Sequence, residues 1–126
     1  MEKIFLFDLT SRHAAWASVR QATIAANVAN ANTPGYRAAD VEPFAAVLDQ
    51  TKLASVRTSP GHLPVGDTQA ARTRVSDAES WDVTESGNSV SLDQQMLKAA
   101  EVSSAFSLNT GIVRAFHRMV LASVRS

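Results

Sequence analysis

The chain has 126 residues, of which 45% are hydrophobic and only 6% aromatic, and it contains no cysteine. Twelve Lys and Arg balance twelve Asp and Glu, so its formal net charge is zero. This length suits one small domain, the lack of thiols excludes disulfides, and the lack of basic excess argues against a nucleic-acid partner. No apolar run is long enough to span a bilayer, and the first residues lack the pattern of a cleaved signal peptide.

The first part of the chain shows helical periodicity over residues 9–30. Apolar residues recur at spacings of three and four, and neither Gly nor Pro interrupts the run. Thr10 or Ser11 is placed to supply the N-cap of this helix. The larger residues that we expect to pack on its apolar face are Val19, Ile24 and Val28.

A dense stop signal follows this helix. Pro34 disfavours the helical conformation at Thr33, so the helix should end before it. Asn30 or Asn32 is suited to the left-handed conformation that closes many helices. Pro34 and Gly35 suit the central positions of a type II turn, because Gly tolerates a positive φ. The sequence therefore predicts that the chain leaves the helix in a fixed direction.

Asparagine side chains also lie within the last turns of the predicted helix. Asn27 and Asn30 are about one turn apart and share a face. Asparagine is a poor helix former, so its presence here calls for a reason beyond propensity. We expect these amides to make hydrogen bonds with a neighbouring chain.

A second periodic segment covers residues 92–124. Ser91 and Gln94 form a capping-box pattern before its apolar run. Gly111 would permit a bend, because an interior Gly costs about 1 kcal/mol relative to Ala. Residues seven apart predict a heptad seam, formed by Leu92, Ala99, Phe106, Val113 and Val120. The further apolar residues that we expect to pack on this helix are Met96 and Phe116.

Residues 37–90 are punctuated by Pro, Gly, Ser, Thr and Asp, which is typical of irregular structure. We predict a short helix over 44–53, short strands over 72–75 and 81–84, and a turn at 86–88. Acidic residues precede the second long helix and predict a solvated face rather than a metal site. They are Asp77, Glu79, Asp82 and Glu85.

Three stretches carry a family resemblance. "IAANVANANTPGYRA", residues 24–38, resembles the N-terminal signature of the flagellar axial proteins, the rod and hook family. "RTSPGHLPV", residues 57–65, and "ESGNSVSLDQQMLKAAEVSSAF", residues 85–106, resemble its mid-chain and C-terminal segments. In this order they resemble the proximal rod proteins of the basal body, the FlgB type. Ser86 and Gln95 stand where the family usually has Asp and Glu, which leaves open whether the local hydrogen bonds are kept.

The resemblance implies a mainly α fold, in which the N- and C-terminal helices pair as an antiparallel coiled coil around an irregular, β-containing middle segment. The three parts would be residues 1–36, 37–90 and 91–126. Because an isolated helix of this length is marginal in water, we hypothesise that the termini are mostly disordered before assembly and fold on contact with neighbouring subunits. The family's assembly motif maps onto Asn27, Asn30, Asn32, Thr33, Pro34, Gly35 and Tyr36.

The function that the resemblance implies is structural: a subunit of the rod, packed by its helices into the torque-transmitting tube. Its expected partners are copies of itself, other rod proteins, the membrane ring and its adaptor, and the export gate in transit. We expect no cofactor, no metal and no enzyme activity. The expected location is the periplasmic rod, reached by type III export without a cleaved signal peptide. Phe5 and Leu9 resemble a family export element, or they begin the apolar face of the first helix.

Two alternatives come from the same patterns, and a third from a different class. The first alternative is that the chain is another rod or hook subunit. The second is a small helical type III secretion substrate of non-flagellar type, which would lack the Thr-Pro-Gly-Tyr stop. An enzyme would need a catalytic constellation, and the sequence offers none. His13, His62 and His117 lack metal-ligand spacing.

Overall fold

The computed structural model describes residues 2–53 and 73–125, with side chains described for 6–49 and 73–125. The family-like segment at 57–65, with His62, lies outside these residues. The fold is mainly helical, as the sequence predicts, and its terminal helices pack together around a small β-containing middle. In chain order the elements are α1 (Glu2–Ala29), β1 (Ala39–Val41), α2 (Phe44–Leu53), β2 (Val75–Asp77) and α3 (Leu92–Val124).

The two long helices form an antiparallel pair. Contacts advance along α1 by six or seven residues while they retreat along α3 by six to eight, the repeat of a coiled coil. From one end to the other the paired side chains are Phe7 with Phe116, His13 with Asn109, Arg20 with Glu101 and Asn27 with Gln95.

Within the described residues no helix is long and apolar enough to cross a membrane.

The heptad seam within the chain lies three residues away from the predicted one. Gln95, Val102 and Asn109 are the buried residues at seven-residue spacing in α3. Leu92 and Met96, by contrast, are 52% and 72% exposed. The predicted seam was wrong because two of the buried positions carry amides, which a pattern of apolar residues does not include.

The apolar core between the helices is small. Ala17, Ile24 and Val102 are buried together, and Trp16 and Phe106 pack against them. The core therefore includes two of the predicted packing residues, Ile24 and Phe106. The others are exposed or half-buried within the single chain, and a role for them between subunits stays a prediction. They are Val19, Val28, Leu92, Met96, Val113 and Val120, whereas Phe116 packs against Phe7 of α1 outside this core.

The ends of the long helices differ in part from the prediction. α1 begins at Glu2, well before residue 9, so neither Thr10 nor Ser11 is its N-cap. The Thr10 hydroxyl instead donates to carbonyl oxygens one turn back, those of Leu6 and Phe7, each at 3.0 Å. The early start has a physical reason: residues 2–8 contain no helix breaker, and the first turns pack Phe7 against α3.

Only half of the predicted capping box forms at the start of α3. Ser91 is the N-cap, and its hydroxyl accepts from the backbone N–H of Gln94 at 3.5 Å. The Gln94 side chain does not reach back to the cap, because its amide donates to the carbonyl of Glu79 at 3.0 Å. α3 then runs without interruption through Gly111 to Val124.

The middle segment contains the predicted helix over 44–53 as α2, but its strands differ. β2 covers Val75–Asp77 and pairs antiparallel with β1, which the sequence did not predict. Residues 81–84 are not a strand, since Thr84 closes the predicted turn through hydrogen bonds with Gly87 and Asn88. Three-residue strands are too short for a periodic signal, and their pairing is decided by contacts distant in sequence.

Candidate assembly site

The Asn27 side chain is completely buried where α1, α3 and β1 meet. Its amide donates to the carbonyl of Ala39 at 2.7 Å and to Gln95 Oε1 at 3.0 Å. Its own Oδ1 accepts from the N–H of Ala39 at 3.0 Å and from the Tyr36 hydroxyl at 3.4 Å. The predicted hydrogen bond to a neighbouring chain is therefore wrong for Asn27, because its side chain bonds within the chain and joins both helices to β1.

The stop after α1 forms the predicted type II turn. The N–H of Tyr36 donates to the carbonyl of Thr33 at 3.2 Å, with Pro34 and Gly35 at the centre. Gly35 has φ +72°, the positive value that this turn requires at its third residue. The turn directs the chain from the end of α1 back along it toward Ala39.

The predicted left-handed closure at Asn30 or Asn32 is wrong, because only Gly35 and Gly87 have positive φ among the described residues. The Asn30 side chain instead donates to the carbonyl of Ala26 at 2.9 Å. It also accepts from the Thr33 hydroxyl at 3.1 Å. Side-chain hydrogen bonds therefore do what a left-handed residue does at other helix ends.

Asn88, predicted only as part of a turn, closes the same helix end from the other side. Its side chain is almost fully buried, and its amide donates to the carbonyls of Asn30 at 2.8 Å and Thr33 at 2.7 Å. Its Oδ1 accepts from the N–H of Val90 at 2.8 Å. The signal was present in the family-like stretch 85–106, but nothing in the sequence places residue 88 against residue 30.

Two glycine turns meet at this site. The N–H of Gly35 donates to the carbonyl of Ser86 at 2.9 Å, and Gly87 also has a positive φ, +80°. A Cβ on Gly87 would lie 3.6 Å from the Gly35 Cα. Backbone hydrogen bonds and close approach thus join the stop of α1 to the loop before α3.

Replacing Gly35 by Ala is expected to lower the free energy of unfolding by about 1 to 2 kcal/mol, because the left-handed conformation strains a side chain. An added Cβ there meets no atom within 4 Å, so backbone strain accounts for the whole loss. Gly111→Ala is the matched control and should stabilise by about 1 kcal/mol, because Gly111 lies in open space within α3. Urea unfolding of both variants checks this; equal effects would contradict it.

An ion-pair cluster holds β1 between the long helices. Asp40 accepts from Lys98 Nζ at 2.9 Å and from Arg20 at 3.3 Å, and Arg20 also binds Glu101 at 2.7 Å. Burial acts to raise the pKa of Asp40, but hydrogen bonds from Lys98, the Val41 N–H and Arg20 outweigh it and hold this pKa below its usual value. Arg20 has a raised pKa, because hydrogen bonds to Asp40 and Glu101 outweigh its partial burial.

An aromatic cluster attaches the segment that follows β1. Trp16 Nε1 donates to the carbonyl of Glu42 at 2.7 Å. The His13 ring stacks on Trp16 at 5.6 Å and meets Phe44 edge-on at 4.7 Å. His13 thus serves packing and makes a hydrogen bond to Asn109 at 3.0 Å.

The remaining predicted site residues lie at the margin. Asn32 and Pro34 are exposed, and Tyr36 is half-buried beside Asn27. Leu9 is half-buried in α1, and the Phe5 side chain lies outside the described residues. Gln95 keeps a hydrogen bond to Asn27 in place of the usual Glu, although its Nε2 has no hydrogen-bond partner among the described residues.

Comparison with known proteins identifies the family. The family model for flagella basal body rod protein matches residues 14–37. The flagellar basal body rod protein FlgB of Agrobacterium fabrum is 43% identical over 130 residues, which cover 99% of this chain and 96% of that protein. FlgB of Escherichia coli is 33% identical over 103 residues, 71% of each chain. The chain therefore belongs to the FlgB family, the structural proteins of the flagellar basal body rod.

Proposed function

We propose that this chain builds the rod by packing its α1–α3 pair against neighbouring subunits, while the Asn27 network directs the middle segment out of that pair. The observation that supports this is the complete burial of Asn27 at the junction of three elements. A buried amide with every hydrogen bond made holds one geometry, because alternatives leave polar groups unpaired. Residues 1–36 and 91–126 would then form the helical part of the subunit, and residues 37–90 would form the wall segment that leaves this helix pair.

The partners follow from this role. They are further copies of the chain, other rod proteins, the membrane ring with its adaptor, and the export gate during transit. The rod location is periplasmic, reached through type III export without cleavage. The role is mechanical and not enzymatic. The relatives do not favour another axial subunit or a non-flagellar secretion substrate.

Rod incorporation tests the function directly. A strain lacking its own rod protein of this type should regain motility when it expresses this chain, and purified basal bodies should contain the chain. Asn27→Ala should be made and exported but fail to enter basal bodies, because its wall segment loses its attachment. Asn32→Ala, exposed and outside the network, is the matched control. Motility restored without the chain in basal bodies would contradict the proposal.

The proposed export element has its own test. Phe5→Ala should reduce secretion into the medium while leaving the intracellular amount unchanged. Leu121→Ala, an exposed apolar residue at the other end of the chain, controls for general loss of apolar surface. Equal secretion of the two variants would leave Phe5 as a residue of the α1 apolar face alone.

A further inference from the structure

The two ends of the helix pair carry opposite charge. Residues 75–93, here called the acidic segment, contain five Asp or Glu and no Lys, Arg or His. Residues 102–125 contain three Arg and one His and no Asp or Glu. The acidic segment ends at the start of α3, whose 33 residues span about 50 Å. A chain with no net charge is therefore strongly polarised along its length.

The acidic segment presents an apolar anchor among its carboxylates. Trp81 and Val83 are 63% and 60% exposed. Glu79 and Glu85 are exposed on either side of Trp81 along the chain. An exposed Trp bordered by charge is the composition of an interface centre with a charged rim, since Trp is enriched among the residues that dominate binding energy.

The basic end contains a groove that suits this anchor. Its volume is about 500 Å³, and its described lining residues all come from α1 and α3. Phe7 and Val113 in its wall are 43% and 40% exposed. Arg114 borders the groove, and Arg118 follows one turn later.

A polar group in the groove supplies an independent observation. Asn109 lines the groove with only 8% of its surface exposed. Its Oδ1 is engaged by His13, but its Nδ2 has no hydrogen-bond partner among the described residues. A buried unsatisfied donor is costly, and this one lies beneath the groove surface, so an incoming acceptor removes that cost once the side chains over it move.

We propose that the acidic segment of one copy docks into this groove of the next copy. Trp81 enters the apolar groove, Glu79 and Glu85 face Arg114 and Arg118, and an acceptor of the incoming segment takes the Asn109 amide. This rests on the proposed function as a self-assembling subunit and names one contact of that assembly. Charge complementarity selects a second copy as the occupant.

The contact is heterologous, because it joins two different surfaces of the same chain. Such contacts do not close a dimer and instead repeat into open filaments. The groove residues 106–113 lie about 20–30 Å along α3 from the end of the acidic segment. For copies that lie parallel to one another, roughly that distance is the displacement from one copy to the next along the helix axis.

A charge-swap experiment with the full-length chain tests the contact by sedimentation over a concentration series at low ionic strength. Wild type should associate progressively. Arg114→Glu/Arg118→Glu and Glu79→Lys/Glu85→Lys should each remain monomeric, because both of their surfaces then carry one sign. An equal mixture of the two should associate again, since each groove then meets a segment of opposite charge. Arg37→Glu/Arg74→Glu, with the same charge change outside the groove, should associate at least as strongly as wild type, because Arg37 pairs with Asp77 of the acidic segment and its loss makes that segment more acidic.

Trp81→Ala separates docking from attraction between net charges. It should weaken self-association about thirtyfold, whereas Leu97→Ala, also exposed but outside the groove, should leave it unchanged. Placed in both charge variants, Trp81→Ala should weaken their association on mixing by a similar factor. Helicity measured by circular dichroism controls for folding in every variant.

Three results would overturn the contact. They are a wild type that stays monomeric, a mixture that does not associate, and a mixture that associates equally strongly with and without Trp81. In each case entry into basal bodies remains measurable separately. A monomeric wild type found in basal bodies overturns the self-contact in favour of a different rod protein as occupant, and it leaves the proposed function standing.

Discussion

Replacing Asn27 by Ala is expected to lower the free energy of unfolding by about 3 to 5 kcal/mol, the largest effect of any single exchange proposed for this chain. The substitution leaves the N–H and carbonyl of Ala39 and the Oε1 of Gln95 without their partner in a buried site. Each buried polar group left unsatisfied costs about 1 to 3 kcal/mol. The loss falls on the contact that joins α1, α3 and β1.

Urea unfolding followed by circular dichroism measures this, at a protein concentration where wild type is helical. Asn32→Ala is the matched control, because the same substitution at an exposed position should change stability by less than about 0.5 kcal/mol. Similar midpoints for the two variants would mean that the Asn27 hydrogen bonds contribute nothing net. The interpretation of residues 24–38 as a structural junction would then be wrong.

Replacing Asp40 by Asn is expected to cost about 2 to 3 kcal/mol at neutral pH. The change leaves Arg20 and Lys98, whose side chains are only 15% and 13% exposed, without their shared carboxylate. Removing one partner of such a partly buried pair costs more than losing an exposed one. Asp8→Asn is the matched control, since the exposed Asp8–Arg12 pair is expected to contribute only about 0.3 to 0.5 kcal/mol.

The same cluster makes stability depend on pH in a stated direction. The pKa of Asp40 is lowered in the folded chain, so the folded state binds this proton less readily than the unfolded state. The stabilisation is complete above the unfolded pKa of about 4 and is lost as the pH falls through the lowered folded value. Unfolding free energies measured from neutral pH into this acidic range should therefore converge for wild type and Asp40→Asn. A difference in unfolding free energy between the two proteins that stays constant with pH would contradict the role of Asp40 in this pH dependence.

The local sequence was sufficient to predict that the two long helices form and that a turn follows the end of α1. The spacing of apolar residues predicts both helices, with α3 and α2 at the bounds that the structure has. Pro34 and Gly35 allow few conformations, so the type II turn follows from the dipeptide and its neighbours. The capping residue Ser91 acts through an N–H three residues away, which is equally local.

The register of the helix pair and the composition of the junction depend on contacts between residues distant in sequence. Asn27 bonds to residue 95 and Asn88 to residue 30, and no local pattern states such pairings. The seam was misplaced because Gln95 and Asn109 are buried amides, whose burial is favourable only where a partner at the other end of the chain accepts or donates. Local propensity therefore predicts the elements, while the matching of hydrogen-bond donors and acceptors across the fold selects how they are joined.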